Sequence, residues 1–296
     1  MAKWTAADIP AQGGRTIVVT GANSGIGAVA ARELARAGAR VVLACRDVAK
    51  GEAAAAGMPG TVEVRRLDLA DLASVREFAG GIDGEVAVLV NNAGVMAVPK
   101  RTTADGFEMQ IGTNHLGPFA LTGLLLDRIT DRVVTVSSGV HNIGRIRLDD
   151  LNWERGRYRR WGAYGQSKLA NLLFTYELQR RLAEAGSPVL AVAAHPGYAA
   201  TNLQSHTESF RDRLMSFGNR IVAQSGEMGA LPTLYAATVP DLPGGSYVGP
   251  DGLFEQRGHP KIVGSSAASK NLNTARRLWE LSEKLTGVGF EFPHAG

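Results

Sequence analysis

The sequence predicts an α/β protein in which helices cover both faces of one parallel sheet. Over the first two-thirds of the 296 residues, short apolar runs alternate with segments whose apolar residues recur at helical spacing. Runs such as VVLAC and VAVLV are apolar almost throughout, as strands buried on both faces require. No low-complexity linker divides the chain, so we expect a single domain, with 45% hydrophobic residues available for its core.

Six strands are predicted in this alternating part of the chain. The segments between them have a helical period, seen clearly in Ile26, Ala30 and Leu34 after the first strand. Such βαβ units have right-handed crossovers, which makes the strands parallel. The six strands are Thr16–Thr20, Arg40–Cys45, Val62–Leu67, Val86–Val90, Arg132–Val136 and Val189–Ala194.

The alternating pattern weakens after the sixth strand. Phe210, Leu214 and Phe217 recur at helical spacing. Residues 202–225 are therefore expected to form either an ordinary helix or a mobile substrate lid. A last helix is predicted over roughly 267–285, and the tail after it is expected to be irregular.

The composition excludes several classes of protein. A formal net charge of +4 suits an anionic ligand but does not by itself indicate nucleic acid. The single cysteine, Cys45, cannot form an internal disulfide or, alone, a thiolate zinc site. The N-terminus has no apolar signal region, and the most apolar long stretch, 111–129, is interrupted by Asn114 and Pro118. We therefore expect a cytoplasmic protein with no membrane span, no metal and no nucleic-acid partner.

A glycine-rich turn, TGANSGIG at residues 20–27, follows the first strand and opens the first helix. Gly21, Gly25 and Gly27 allow a tight turn and the close approach of a pyrophosphate, and the helix N-terminus supplies hydrogen-bond donors. The spacing G-x-x-x-G-x-G differs from the commoner G-x-G-x-x-G. Within a βαβ unit the turn predicts a dinucleotide site; the alternative is a plain strand-to-helix connection.

The end of the second strand bears on which nicotinamide cofactor is bound. An acidic residue there binds the ribose 2′-hydroxyl of NAD, whereas a nearby arginine accommodates the 2′-phosphate of NADP. Arg46 and Asp47 follow the last apolar residue of this strand. Asp47 begins the next helical segment and is suited to an N-cap role, so Arg46 is the first residue free to reach a phosphate. The sequence favours NADP over NAD.

Three further motifs follow later strands. NNAG at 91–94 follows the fourth strand, and SSG at 137–139 follows the fifth. Tyr164 and Lys168 then stand four residues apart at the start of a strongly helical run, which places them on one helix face. Such a pair is common and indicates little alone. Together with the glycine-rich turn and the serines it predicts a redox site.

This combination resembles the short-chain dehydrogenase/reductase superfamily over residues 14–201. The resemblance implies a single-domain Rossmann fold, whose doubly wound sheet has seven parallel strands, the last near 246–249, and it leaves a homo-oligomer possible. Four motifs resemble more narrowly the branch that contains retinol dehydrogenases and protochlorophyllide reductase: ACRD at 44–47, TNHLGPF at 113–119, SKLANLLF at 167–174 and HPG at 195–197.

The resemblance also implies the roles of individual residues. Ser138, Tyr164 and Lys168 would be the catalytic triad, with Asn114 as a fourth member, and Ser137 is the competing choice for the serine. Asp68 would contact the adenine, and Thr201 the nicotinamide carboxamide. The implied cofactor-binding residues are Gly21, Asn23, Ser24, Gly25, Ile26, Gly27, Arg46, Asp68, Leu69, Asn92, Ala93, Gly94, Val136, Tyr164, Lys168, Pro196, Gly197 and Thr201.

These residue types suit the chemistry of carbonyl reduction. Hydride delivery to a carbonyl produces an alkoxide, which needs a proton donor, but a free phenol has a pKa of about 10. An ammonium about 4 Å away stabilises a phenolate by at most ~4 kcal/mol at an effective dielectric constant of ~20. Lys168 is therefore expected to lower the pKa of Tyr164 and to hold the ribose. Ser138 would bind the substrate oxygen, and Asn114 a water linked to Lys168.

The segment from Ser138 to Tyr164 is longer than in compact members of the superfamily. The insertion, near 142–161, contains RLDDLNWERGRYRRW, whose arginines could form a nucleic-acid or acidic-substrate patch; a solvated loop is the favoured interpretation. Trp153 and Trp161 either edge the substrate mouth or anchor the insertion. His141 and His195 are interpreted as structural, because neither has partners at metal-ligand spacing.

The sequence thus predicts an enzyme that transfers a hydride between NADP(H) and a small, hydrophobic carbonyl or alcohol substrate. One alternative within the enzyme class is a reductase of a carbon–carbon double bond. The other is a non-catalytic module that binds NADP(H) and signals to a partner, which the presence of Tyr164 and Lys168 disfavours.

Overall fold

The computed structural model describes residues 3–197 and 225–293. Within these ranges the strands form one sheet in the order β3-β2-β1-β4-β5-β6-β7-β8. The first seven are parallel to one another, as the βαβ pattern predicts. The strands are β1 Thr16–Thr20, β2 Arg40–Cys45, β3 Thr61–Arg66, β4 Val86–Asn91, β5 Ile129–Val136, β6 Leu190–Ala194, β7 Tyr247–Pro250 and β8 Pro260–Ile262.

The sheet differs from the expected seven parallel strands by one short edge strand. β8 pairs antiparallel with β7, from Val248 opposite Ile262 to Pro250 opposite Pro260. Its three residues include a proline and an exposed lysine, so it has no apolar run by which a sequence pattern could reveal it. A short strand that begins with proline is typical of a sheet edge, where unpaired backbone groups otherwise invite association.

The described helices alternate with the strands. A one-turn helix, α4, continues through a π-helical turn at Gly112–Leu116 into α5. The predicted last helix is divided: a 3-10 turn at Ala267–Lys270 precedes α8, which Asn271 caps by accepting a hydrogen bond from the backbone N–H of Thr274 at 2.9 Å. The helices are α1 Gly25–Arg36, α2 Val48–Ala55, α3 Leu72–Gly80, α4 Met109–Ile111, α5 Gly117–Leu125, α6 Arg160–Glu184, α7 Gly226–Thr238 and α8 Leu272–Thr286.

Each face of the sheet has its own core. On one face, Phe78 of α3, Phe119 of α5 and Trp279 of α8 belong to one cluster of buried side chains. On the other, Ile26 of α1 and Leu234 of α7 belong to a second cluster. The doubly wound arrangement expected from the sequence is therefore confirmed.

The strand order reverses direction at β1, which lies between β2 and β4. In open parallel sheets a crevice forms at such a point, beyond the carboxyl ends of the strands. The glycine-rich turn leaves β1 there, and the NNAG and SSG motifs leave β4 and β5 at the same edge.

Two sequence expectations fall partly or wholly on residues outside the described ranges. The predicted lid, 202–225, lies outside them except for Ser225, which caps α7 by accepting from the backbone N–H of Met228 at 3.3 Å. Thr201 also lies outside them. Among the helices of the described ranges, none combines the length and the apolar character needed to cross a membrane.

Candidate active site

The glycine-rich turn is built on close backbone contacts. Gly21 has a φ of +65°, and a Cβ there would lie 2.9 Å from the Cβ of Ala93. A Cβ at Gly27 would lie only 2.4 Å from Nδ2 of Asn92 and 2.5 Å from the carbonyl oxygen of Gly21. Gly25 has a φ of +56°. Each of the three glycines is therefore required by a left-handed φ, by a close contact or by both.

Hydrogen bonds join this turn to the NNAG motif. The Thr20 hydroxyl accepts from the backbone N–H groups of Asn92 and Ala93, both at 3.0 Å. The Asn92 side chain donates back to the Thr20 carbonyl at 2.8 Å. The predicted cofactor residues after β1 and β4 consequently form one continuous surface.

The N-terminus of α1 can hold an anion. The first amides of a helix have no intrahelical acceptor, and Ser24, at the N-cap, does not cap them with its side chain. Ile26 points into the core, so only the main chain of this first turn is available to a ligand. Asn23 is half-buried and Ser24 is exposed at the crevice. A pyrophosphate fits this donor set.

The two residues after β2 differ in their contacts: Asp47 is hydrogen-bonded within α2, whereas Arg46 is exposed to solvent. Asp47 caps α2: its carboxylate accepts from the backbone N–H of Lys50 at 3.1 Å and lies 3.0 Å from the Lys50 ammonium. These bonds lower the pKa of Asp47. Arg46 is exposed. The predicted N-cap role of Asp47 is confirmed.

Asp68 lies beyond the end of β3, at the same edge of the sheet. Its carboxylate accepts from the backbone N–H of Ala70 at 2.9 Å, and its own N–H donates to the Ser74 hydroxyl at 3.0 Å. Leu69 is buried, and a Cβ at Gly117 would lie 2.3 Å from the Leu69 carbonyl oxygen. The segment is thus held tightly against α5, beside the predicted adenine position.

The structure brings Ser138, Tyr164 and Lys168 together. Tyr164 and Lys168 lie near the start of α6, both buried, with Nζ of Lys168 5.8 Å from the centre of the Tyr164 ring. Ser138 follows β5 and lies close enough to the Tyr164 hydroxyl to lower its pKa. The two serines of the SSG motif have different partners: the Ser137 hydroxyl donates to the Lys168 carbonyl at 2.8 Å and is buried. The geometry therefore favours Ser138, half-buried beside Tyr164, as the serine that meets a substrate.

Burial shifts the pKa values of the tyrosine and the lysine in opposite directions. It raises the pKa of Tyr164 to about 12, and the neighbouring Ser138 hydroxyl offsets this only in part. Burial lowers the pKa of Lys168 to about 8. Nζ of Lys168 donates to the carbonyl oxygen of Val136 at 3.0 Å. The expected lowering of the Tyr164 pKa by Lys168 is not seen in this arrangement, where burial dominates and Lys168 is not among the groups that shift it.

Asn114 lies on the π-helical turn between α4 and α5. Its Oδ1 accepts from the Val95 N–H at 2.8 Å, and its Nδ2 donates to the Val95 carbonyl and the Ser167 hydroxyl, both at 2.9 Å. A Cβ at Gly94 would lie 3.0 Å from this Oδ1 and 3.5 Å from Nζ of Lys168. Asn114 and Lys168 thus border the same point, where one water could bridge them, because Oδ1 retains one unused lone pair.

The insertion, residues 142–161, is not simply a solvated loop. Leu151 and Trp153 are buried, and Lys100 donates to the Trp153 carbonyl at 2.7 Å. Tyr158 donates to the carboxylate of Glu108 at 2.8 Å, and Gln110 donates to the Tyr158 hydroxyl at 2.8 Å. The solvated-loop interpretation holds for 154–157, which are exposed.

The two tryptophans of the insertion occupy different places. Trp153 anchors it, with Arg147 stacked on its ring at 4.5 Å. Trp161 is 48% exposed, and its ring contacts that of Tyr164 edge to face, with centres 6.0 Å apart. Trp161 therefore edges the mouth of the site.

The turn after β6 is held by the segment between β7 and β8. Gly197, next to Pro196, has a φ of +66°, and a Cβ there would lie 2.5 Å from the Gln256 carbonyl oxygen. His195 accepts from the Gly197 N–H at 3.3 Å and contacts Glu255 at 3.1 Å. Among the residues described, no group of three or more His, Cys, Asp or Glu side chains could hold a metal ion.

Several contacts of the site had no signal in the sequence. Glu108 is fully buried, where desolvation raises its pKa, and it caps α4 by accepting from two backbone N–H groups. Gln110 accepts from the Ala97 N–H at 2.7 Å. Glu108 and Tyr158 are fifty residues apart, and only the fold brings them together. No sequence motif therefore indicates their contact.

Comparisons with known proteins agree with this geometry. A family model described as short chain dehydrogenase matches residues 15–212. Human retinol dehydrogenase 13 is 45% identical over 93% of this chain and 85% of its own length, and human retinol dehydrogenase 11 is 44% identical over 93% and 86%. The crystal structure of an uncharacterized protein from Mycobacterium paratuberculosis has 58% identity and a TM-score of 0.86, covering 98% of this chain and all of that one. The chain belongs to the short-chain dehydrogenase family of oxidoreductases.

Proposed function

We propose that this protein transfers a hydride between NADP(H) and a hydrophobic carbonyl or alcohol, with Tyr164 as the general acid and base. The observation that carries the proposal is the grouping of Ser138, Tyr164 and Lys168 in a buried site beside the glycine-rich turn. A proton donor, a second hydroxyl and a cation there are the groups that a developing alkoxide needs.

The residues at the cofactor end fit a dinucleotide. The glycine-rich turn and the amides of α1 would hold its pyrophosphate. Arg46 is exposed beside the end of β2, where it would pair with a 2′-phosphate, whereas the carboxylate of Asp47 is already engaged by Lys50. These observations support NADP over NAD. When bound, the nicotinamide would supply or accept the hydride.

Two hydroxyl groups would converge on the substrate oxygen. Ser138 lies close enough to Tyr164 to lower its pKa, so the two hydroxyl groups lie near one point, where a carbonyl oxygen would accept a hydrogen bond from each. A phenol with a pKa of about 12 stays protonated at neutral pH, so Tyr164 would be ready to donate to the alkoxide oxygen during reduction.

Lys168 would then return a proton to Tyr164. Its pKa of about 8 lies near working pH, so the ammonium can give up a proton and regain it from solvent. A water next to Gly94, held between Nζ of Lys168 and Oδ1 of Asn114, is the route that the geometry supports. In the oxidative direction the same groups would act in reverse.

Trp161 supports a hydrophobic substrate. Its half-exposed ring lies against that of Tyr164, so an apolar molecule bound beside the tyrosine would meet an aromatic surface. Relatives that are 45% and 44% identical are named retinol dehydrogenases. A long apolar alcohol or aldehyde of the retinoid kind is accordingly the substrate class to examine first.

Turnover assays would test the proposal. A panel of apolar aldehydes, ketones and alcohols would be supplied with NADPH, NADH or their oxidised forms, and the absorbance of the reduced nicotinamide followed. We expect turnover of apolar substrates with NADPH. Tight binding of NADPH without turnover of any substrate would support a sensing module instead, and reduction of conjugated alkenes alone would support a double-bond reductase.

A further inference from the structure

His141 lies three residues after Ser138 and is buried, with only 2% of its surface exposed. Its Nδ1 lies 2.7 Å from the carbonyl oxygen of Ser138. On the other side of the ring, Nε2 accepts a hydrogen bond from the backbone N–H of Ser266 at 3.2 Å. Both ring nitrogens are therefore bonded to main-chain groups.

These two bonds determine the protonation of the imidazole. The Ser266 amide can only donate, so Nε2 carries no proton; the Ser138 carbonyl can only accept, so Nδ1 carries one. The ring is then neutral and fixed in the Nδ1–H tautomer. Burial also lowers the pKa of His141, which agrees with a neutral ring.

The bond to Nδ1 reinforces a turn on which Ser138 depends. The carbonyl of Ser138 accepts a second hydrogen bond, from the backbone N–H of His141 at 3.0 Å. Ser138 itself is extended, with φ −159° and ψ 153°, and caps the short helix Gly139–Ile143. Fixing this carbonyl holds the main chain of the turn, and Oγ of Ser138 accepts from the backbone N–H of Val140 at 3.3 Å, so the same turn also holds the direction of the Ser138 side chain.

His141 differs in this respect from another buried histidine. His115 bonds the Ser282 hydroxyl through Nε2 at 2.9 Å, and within the described residues its Nδ1 has no hydrogen-bond partner. Packing and one side-chain hydrogen bond account for a ring of that kind. The His141 ring also packs edge to face on Tyr247, at 5.7 Å between centres, but an apolar side chain could supply that contact. An apolar side chain could not supply the hydrogen bond from Nδ1 to the Ser138 carbonyl, which adds to the bond from the backbone N–H of His141.

We propose that His141 is a positioning residue for the reaction: as a neutral Nδ1–H imidazole it joins the Ser138 turn to Ser266 and sets the direction in which the Ser138 hydroxyl meets the substrate oxygen. This inference rests on the proposed function, in which that hydroxyl binds a carbonyl or alkoxide. His141 does not touch substrate, cofactor or reacting atoms, and acts only through Ser138.

Two substitutions separate positioning from packing. His141→Asn can place an amide N–H where Nδ1 lies, whereas His141→Leu keeps apolar bulk without a donor; neither reaches Ser266. We expect both variants to lower Tm to a similar extent. His141→Leu should lower kcat about 10- to 100-fold with little change in KM, and His141→Asn should recover most of that loss. Equal kcat values for the two variants would overturn the proposal.

A double-mutant cycle tests whether His141 acts through Ser138. In a Ser138→Ala background there is no hydroxyl to direct, so adding His141→Leu should change kcat by less than about twofold. Losses that multiply in the double variant would show that His141 affects the reaction by another route and would overturn the proposal.

A third measurement does not depend on activity. Nitrogen-15 spectra of the histidine side chains, with the His141 signals assigned from His141→Asn, should show a protonated Nδ1 and an unprotonated Nε2 from pH 6 to 8. A protonated Nε2 would overturn the bridge itself. Absence of turnover by the wild-type protein would overturn the proposed function, and with it the positioning role, while the spectra would still report the bridge.

Discussion

The turn after β1 and the turn after β5 lie at the same edge of the sheet but are stabilised by different means. At the first, Gly21 and Gly27 bring main chains so close that no Cβ fits. At the second, the turn at Ser138 is held by hydrogen bonds from His141 and lies beside the buried ammonium of Lys168. The first turn is therefore sensitive to added volume, and the second to the loss of a hydrogen bond or a charge.

The largest effect is expected at the second turn, from removing one hydroxyl. Tyr164→Phe keeps the ring and its contact with Trp161, so the cofactor pocket should be unchanged. We expect kcat to fall by on the order of 10²–10⁴, with the Kd for NADPH little altered. Steady-state kinetics and a fluorescence titration with NADPH would measure both. Near-normal turnover would remove Tyr164 from the mechanism.

The next largest effect is expected when a Cβ is added at the first turn. Gly27→Ala places a Cβ 2.4 Å from Asn92 and should cost about 1–3 kcal/mol of stability and weaken NADPH binding. Gly80→Ala is the matched control, because a Cβ at Gly80 in α3 meets nothing within 4 Å. Tm and the Kd for NADPH would be compared. Equal values for the two variants would contradict the steric account of this turn.

Arg46, after β2, sharpens the comparison because it adds a charge at the cofactor end of the site. A guanidinium binds a phosphate far more strongly than a ribose hydroxyl, so Arg46→Ala should weaken the binding of NADPH by roughly 1.5–3 kcal/mol, or about 10- to 150-fold, and leave that of NADH almost unaffected. Asp47→Ala should instead lower Tm through the lost N-cap. The NADP assignment would be overturned by three results together: the wild type binds NADH more tightly than NADPH, Asp47→Ala loses this NADH binding, and Arg46→Ala does not change it.

The smallest expected effect concerns the buried ammonium. Burial lowers the pKa of Lys168 from 10.5 to about 8, so between these values the unfolded chain binds more protons than the folded one, and stability rises with pH. Denaturant titrations at pH 8 and 9 should show a gain of about 1 kcal/mol in the free energy of unfolding. Lys168→Met should lack this contribution. Identical pH dependence in both proteins would contradict the burial of a titrating lysine.

Features that depend on local sterics or on periodicity could be predicted from the sequence. The bounds of β1 and β2 follow from continuous apolar runs, and the glycines from the turn that they allow. The pairing of Tyr164 with Lys168 follows from helix geometry. In each case the physical requirement restricts the residue type at a fixed spacing, so the requirement is visible in the residues themselves.

Features that depend on contacts distant in sequence could not be predicted. The bond between Tyr158 and Glu108 joins residues whose types are unremarkable at those positions. The bridge from His141 to Ser266 ends on a backbone amide, which every residue except proline provides. β8 has three residues without an apolar run and forms only because β7 offers it an edge.

The π-helical turn at Gly112–Leu116 sets stability against activity. It accommodates one residue more than a regular helix would, and removing that residue would let α4 and α5 join in one uninterrupted hydrogen-bond ladder. The same deletion would rotate α4, which precedes the turn, by about 100° relative to α5. This rotation would separate the Asn114 side chain from Val95. Joining the two helices would thus disrupt the site, so this segment should not tolerate a change in length.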